Sequence, residues 1–316
     1  IFKLADLSFV VWPFVLLVDL LAIALAAVSA SLLSVVAVLL LTLLATAGLI
    51  FKIPPDLTGL PFSFTILGAF AVFFVVASVW LLRKLKPEVL ARPFKLGDDL
   101  NDPSNLAALL PACSATLPFL LMIMATLRLP LTNPSSVFGL ALLLLVLLLG
   151  LTKLFALDWL PAVSLACVSA LECAWHFQRF ERTIGLIRPD LSLTWYLVFL
   201  GVFAVFPFLF LKQFSGKVIP FATAALAGLP QFFLLHRLVK LAYPNAVMGV
   251  LPAAFALPAL LSLVIVLKHI PKDNPARLSQ LACFGGVGLF FITLIFPIQF
   301  DKQWITIGWA LEGAAL

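Results

Sequence analysis

The chain has 316 residues, of which 64% are apolar and 11% charged, and its mean hydropathy is +1.20. Soluble domains are about 45–50% apolar and about 25% charged, so this composition excludes an ordinary soluble globular protein, a disordered chain and a nucleic-acid-binding protein. The net charge of +6 comes from Lys and Arg in the short connections between apolar runs, where such residues anchor helix ends at the membrane surface. The expected class is an all-α, polytopic transmembrane helical bundle whose main partner is the lipid bilayer.

Ten apolar runs are long enough to cross a bilayer as helices, which takes about 20 residues each. An eleventh run begins near Trp304 and reaches the last residue, Leu316. The longest connection, from Arg83 to Asn105, is too short to hold a folded domain, so residues 1–316 are predicted to form a single transmembrane domain. The predicted spans are 9–29, 31–51, 62–82, 106–127, 136–157, 159–178, 192–211, 218–236, 246–267 and 279–299.

An internal repeat is predicted between residues 103–174 and 244–314. The segment from Pro103 to Ala112 aligns with the segment from Pro244 to Ala253, and the pair Asn133-Pro134 aligns with Asn274-Pro275. Both copies then carry an Ala-Leu-Glu-x-Ala sequence, at 170–174 and 310–314. Matched prolines are harder to attribute to composition than matched leucines, although a coincidence of composition is the alternative explanation.

The orientation of the two copies follows from the number of spans between them. Five spans separate the matching helices, an odd number, so the copies are predicted to be inverted, and one miscounted span would make them parallel. Lys and Arg are divided almost evenly between the two sides of the ten-span arrangement, whereas the positive-inside rule requires an asymmetry. Inverted repeats are common in secondary transporters, whose substrate sites lie near the membrane midplane.

Acidic residues within apolar spans are the strongest indication of a functional site, because a charged side chain at mid-helix costs roughly 2.5–3.5 kcal/mol to insert. Asp19 lies halfway along the first span. Glu312 lies about 12 Å into the eleventh helix, and Glu172 lies about 20 Å along its helix, nearer the far face. These three acids are candidates for a substrate or proton pathway, and hydrogen-bonded packing is the alternative role for each.

His176 is a fourth candidate, because it lies one helical turn after Glu172 on the same face, with Cys173 between them. Such a cluster can shuttle a proton or contribute metal ligands. No second cluster completes a four-ligand set, so no metal site is predicted. The sequence also lacks a phosphate-binding loop, a zinc-protease motif and a serine nucleophile motif, so no cofactor is predicted and no catalytic residue is identified.

The segment from Phe296 to Leu316 resembles a recurring segment of a bacterial family of very large, many-spanning membrane proteins whose function is unknown. The specific part is Trp304 followed by Trp309-Ala-Leu-Glu312-Gly-Ala. The resemblance implies that the chain is an excerpt of a longer polytopic protein and that its location is the bacterial inner membrane. It brings no activity, substrate or cofactor.

Three functions remain open from the sequence. The first is a carrier or channel for an unknown solute, built from two related helical bundles. The second is a non-catalytic scaffold whose partners are other proteins of the bacterial envelope. The third is an envelope-synthesis enzyme acting on a lipid-linked substrate, for which the only candidate sites are the charged loops Arg83–Asp102 and Arg179–Asp190. Of these three functions, the two that are not enzymatic are favoured.

Overall fold

The structure, a computed structural model, describes residues 11–29, 33–54, 57, 59–85, 103–155, 157–183, 187–243, 248–299 and 313. The described chain is helical and contains no β-sheet, which confirms the predicted fold class. The α-helices are α1 Val11–Ser29, α2 Leu33–Lys52, α3 Leu60–Leu85, α4 Pro103–Arg128, α5 Ser135–Phe155, α6 Leu160–Trp175, α7 Pro189–Leu209, α8 Leu211–Phe214, α9 Ile219–Leu226, α10 Gly228–Ala242, α11 Val250–His269 and α12 Arg277–Gln299.

Ten membrane-spanning segments are present among the described residues, as predicted. The sixth and the eighth are clearly longer than predicted. The sixth runs from Leu160 to Thr183 because α6 continues as a π-helix, His176–Phe180, and a 3-10 turn, Glu181–Thr183. The eighth, Ile219–Ala242, consists of α9 and α10. It is interrupted between these helices because Pro230 has no amide hydrogen for the carbonyl of Leu226.

The chain divides into two compact units, and each has its own core. Of the described residues, the first unit comprises those up to residue 160 and 177–182, and the second comprises 161–176 and those from residue 183 onward. In the first unit, Trp12 of α1 packs against Phe70 of α3 with ring centroids 5.7 Å apart. This contact belongs to a buried apolar cluster formed by α1, α2, α3 and the adjoining part of α4.

Aromatic side chains form much of the core of the second unit. Phe232 of α10, Phe255 of α11 and Phe291 of α12 lie with their ring centroids 5.3–5.4 Å apart. A Cβ atom at Gly288 would lie 3.3 Å from Cδ2 of Leu260. The small residue therefore lets α11 and α12 approach closely, as the glycine-rich sequence of α12 predicts.

The two Asn-Pro pairs of the predicted repeat adopt the same local structure. Oδ1 of Asn133 accepts a hydrogen bond from the amide of Ser135 at 2.9 Å, and Oδ1 of Asn274 accepts one from the amide of Ala276 at 2.9 Å. In each case the bonded residue lies at the start of a spanning helix. The repeat as a whole stays a prediction, since residues 300–312 of its second copy lie outside the described residues.

Gln280 of α12 holds the turn that follows α8. Its Nε2 donates to the carbonyl oxygens of Ser215 at 2.8 Å and Lys217 at 2.7 Å, and its side chain is fully buried. We expect Gln280→Leu to lower the free energy of unfolding by about 1–3 kcal/mol, because it removes two hydrogen bonds from a fully buried donor, although the Ser215 carbonyl keeps a second bond from Nδ2 of Asn274 at 3.1 Å. Thermal unfolding in detergent micelles measures this, with exposed Ser279→Ala as a control that should leave the midpoint unchanged. Equal midpoints for both variants would contradict the assigned role.

Candidate functional site

Glu172 lies near the middle of the membrane in the second unit. The helical run that carries it extends twelve residues back to Leu160 and eleven forward to Thr183, which is about 18 Å and about 16 Å of helix. The sequence places Glu172 nearer the far face because the hydrophilic residues from His176 to Arg182 resemble the end of a span. In the structure the helical run continues to Thr183, so Glu172 lies near the middle of this candidate membrane-spanning segment.

The Glu172 carboxyl group is paired with an amide rather than with a cation. Nε2 of Gln231, in α10, donates to Oε2 of Glu172 at 2.5 Å, and both side chains are fully buried. Oε1 of Glu172 and Oε1 of Gln231 have no hydrogen-bond partner among the described residues. Gln231 lies eleven residues from the end of α10, or about 16 Å, which is the same depth as Glu172. Two helices thus bring a carboxyl and an amide together at the midplane.

A second polar contact lies one turn closer to the membrane face at which α7 begins. Nδ1 of His176 is 3.0 Å from the hydroxyl of Tyr196 in α7, and both side chains are fully buried. His176 opens the π-helix, a type of turn that is frequent at functional sites. Ser192, one turn before Tyr196, is also fully buried, and its Oγ has no hydrogen-bond partner among the described residues.

The position of α7 beside α10 at this face is fixed by Tyr243, which donates a hydrogen bond to Oδ1 of Asp190. Asp190 lies in the first turn of α7, and Tyr243 follows the last residue of α10. The hydrogen bond and the carboxylate charge raise the pKa of the Tyr243 phenol, because removing its proton breaks the bond and leaves two negative charges together. The ends of both helices therefore meet at one surface.

The first unit contains an intramembrane acid of its own. Asp19 of α1 is buried, and Oγ1 of Thr42 in α2 lies 3.1 Å from each of its carboxyl oxygens. Thr46 donates its hydroxyl to the carbonyl of Thr42 at 2.7 Å, one turn further along α2. Asp19 therefore lies in a small polar contact between two helices. This contact is compatible with both predicted roles, a substrate or proton pathway and hydrogen-bonded packing.

Thr42→Val tests whether this contact stabilises the first unit. We expect a loss of about 1 kcal/mol in the free energy of unfolding, the usual size of a hydrogen bond between membrane helices. Asp19→Asn should be nearly neutral, since the amide oxygen still accepts the bond from Thr42. Thr65→Val is the matched control, because Thr65 is exposed and its hydroxyl donates to the carbonyl of Pro61 in its own helix. Unfolding titrations that rank Thr65→Val as the more damaging change would refute the role of Thr42.

Glu172 and His176, which were predicted to form one cluster with Cys173, contact different helices in the structure. Glu172 bonds to α10 and His176 bonds to α7, and the described residues contain no group of three or more His, Cys, Asp or Glu side chains able to hold a metal ion. Glu312, the remaining candidate, and the Trp304 to Ala314 segment lie outside the described residues, apart from Gly313.

Five buried polar residues described above are absent from the predicted set: Gln231, Tyr196, Ser192, Thr42 and Thr46. Each is a polar side chain within an otherwise apolar span, which is the signal that could have identified them. Comparisons with family models, with curated proteins and with solved structures give no match to this chain.

Proposed function

We propose that this multi-pass membrane protein is a carrier, and that Glu172 is the group that couples solute movement to a change of its own charge. The observation that carries the proposal is the pairing of a fully buried, midplane carboxyl with the amide of Gln231. An ionisable residue at this depth is a functional-site hypothesis by default, because its charged form is costly in the membrane.

An amide is the partner that a carboxyl group needs if it is to exist in two charge states. The N–H of Gln231 donates to the carboxylate, and after a rotation of the amide its carbonyl oxygen accepts from the protonated acid. An arginine or lysine in the same place would hold the carboxylate charged. The Glu172–Gln231 contact therefore supports a group that gains and loses charge.

The two other functions have less support. The loop that begins at Arg179 is a candidate enzyme site, yet the Arg179 guanidinium donates to the carbonyls of Thr126 at 3.1 Å and Leu127 at 2.9 Å. These contacts terminate α4 and are structural. A scaffold explains neither the midplane acid nor the polar chain beside it. The bacterial inner membrane as the location rests on the resemblance around Trp304 and belongs to the same proposal.

The test is transport by the purified protein in proteoliposomes adsorbed to a conducting support. Rapid exchange to solutions of amino acids, sugars, organic acids, amines or inorganic ions should give a current with at least one class, and a membrane-permeant carbodiimide that modifies Glu172 should abolish it. Absence of current with every class, in vesicles whose protein is correctly inserted, would contradict a charge-moving carrier and favour a scaffold.

A further inference from the structure

We infer that the coupling ion is a proton and that it reaches Glu172 from the membrane face at which α7 begins, through Tyr196 and His176. This inference rests on the proposed function, because it assumes that Glu172 changes its charge. What it adds is the identity of the ion and the side from which the ion arrives. The observation behind it is a row of fully buried polar side chains on α7, on α6 and at the start of the π-helix that follows α6, namely Ser192, Tyr196, His176 and Glu172.

The depths of these residues form a series. Ser192 is three residues from the start of α7, about 4.5 Å into the membrane, and Tyr196 is seven residues in, about 10 Å. His176 lies seven residues before Thr183, also about 10 Å from that face, which agrees with its 3.0 Å contact to Tyr196. Glu172 is one turn deeper on the same helix face.

The chemistry of these groups suits a proton and no larger cation. A hydroxyl, a phenol and an imidazole each donate and accept hydrogen bonds, so each can pass a proton on. Metal cations such as Ca²⁺ and Mg²⁺ need about six oxygen ligands, whereas the described partner of Glu172 is the N–H of Gln231. The described neighbour of Glu172 is therefore a hydrogen-bond donor, whereas a metal ion beside the carboxylate would need several further oxygen ligands.

A hydronium ion that enters from the membrane face past Ser192 gives a proton to the Tyr196 oxygen and becomes water, while the Tyr196 hydroxyl gives its own proton to Nδ1 of His176. His176 then loses the proton of Nε2 to the Glu172 carboxylate, directly or across one bridging water. The products are neutral Glu172, an intact tyrosine and a histidine in its other neutral tautomer.

Few other titratable groups face Glu172 among the described residues. Its own helix contributes Cys173 and His176, and α7 contributes Tyr196 and, at the surface, Asp190. Helix α10 contributes neutral Gln231 at this depth. Its ionisable residues lie further toward the face at which α10 ends, and they are His236, Arg237 and Lys240. Helix α9 has none.

The experiment measures proton access from each side of the membrane. A carbodiimide adds to a carboxyl group only when the group is protonated, so the rate of adduct formation at Glu172 reports its protonation. Proteoliposomes are prepared with independently set internal and external pH. In an Arg182→Cys background, an impermeant maleimide tags molecules whose α7-start face is external, since residue 182 is exposed. The fragment between Lys153 and Lys212 carries both modifications, so mass spectrometry reads them on one molecule.

In tagged molecules, adduct formation at Glu172 should slow when the external solution is made alkaline and should ignore the internal pH. Tyr196→Phe should remove this response within the time of the assay, measured at a temperature at which the variant is still folded, because the lost contact with His176 also lowers its melting midpoint. Ser192→Ala should weaken the response. Thr194→Ala is the matched control, because that hydroxyl is exposed and bonds to Asp190 of its own helix. It should respond as the parent does.

Three other outcomes would contradict either the proposed function or the proton route. Adduct formation that ignores pH on both sides would overturn the proposed function, since Glu172 would then exchange no proton. Adduct formation that follows the internal pH would leave the proposed function standing and overturn the route. A normal external response in folded Tyr196→Phe would likewise overturn the route through Tyr196.

Discussion

Glu172→Gln is expected to abolish solute-driven current, lowering it by about a hundredfold or more, which is the range for losing a positioned proton-transfer group. The replacement keeps the size of the side chain and a hydrogen bond to Gln231, so the variant should insert and melt as the parent protein does. What it removes is the ability to change charge. A purely structural Glu172 would tolerate the same change, because a neutral amide replaces most hydrogen bonds of a protonated acid.

The control for Glu172→Gln is Glu181→Gln. Glu181 lies on the same helical run but close to its end, in the 3-10 turn, so its loss should leave the current within about twofold of the parent value, as for surface substitutions away from special features. Full current in Glu172→Gln, measured on protein with a parental melting midpoint, would remove Glu172 from the transport mechanism.

Gln231→Leu should be strongly destabilising, and a second substitution should repair it. The single change leaves a fully buried carboxyl group without its described partner, which costs about 1–3 kcal/mol. Glu172→Leu in the Gln231→Leu background removes that group as well, and replacing both members of a buried polar pair by apolar residues is often neutral or stabilising. The double variant should therefore be more stable than Gln231→Leu alone.

A double-mutant cycle measures this coupling from unfolding titrations of the parent, the two single variants and the double variant in mixed micelles. The expected coupling between residues 172 and 231 is about 0.6–2 kcal/mol, the span found for hydrogen bonds in membrane helices. The double variant should be stable but inactive, which separates the two roles of the pair. Additive free-energy changes would show that the two side chains do not interact.

Hydropathy was sufficient to predict the ten spans because a spanning helix must satisfy its own backbone within one apolar segment. It failed at the end of the sixth span. The residues from His176 to Arg182 are polar enough to resemble a connection, yet the backbone continues as π and 3-10 turns, and Arg179 finds acceptors in the carbonyls of α4. A window average cannot detect a polar side chain that is satisfied by another helix.

The acidic residues of the candidate site could be predicted from the sequence, whereas their partners on other helices could not. Asp19 and Glu172 could be singled out because the cost of charge in a membrane depends on the residue and its depth alone. Their partners Thr42 and Gln231 depend on which helices are neighbours, and a neutral side chain in an apolar run gives little signal by itself. His176 was identified through its spacing from Glu172, but its contact with Tyr196 joins helices that no periodicity relates.

Infrared difference spectroscopy of the carboxyl group shows directly whether Glu172 gains and loses a proton, because a protonated acid has a carbonyl stretching band that its carboxylate lacks. The spectrum of the parent protein minus that of Glu172→Gln isolates the band of Glu172 from that of Asp19. We expect a band in acidic solution that disappears in alkaline solution and returns when the pH is lowered again. A band that persists unchanged at every pH at which the protein stays folded, or one that never appears, would contradict this expectation.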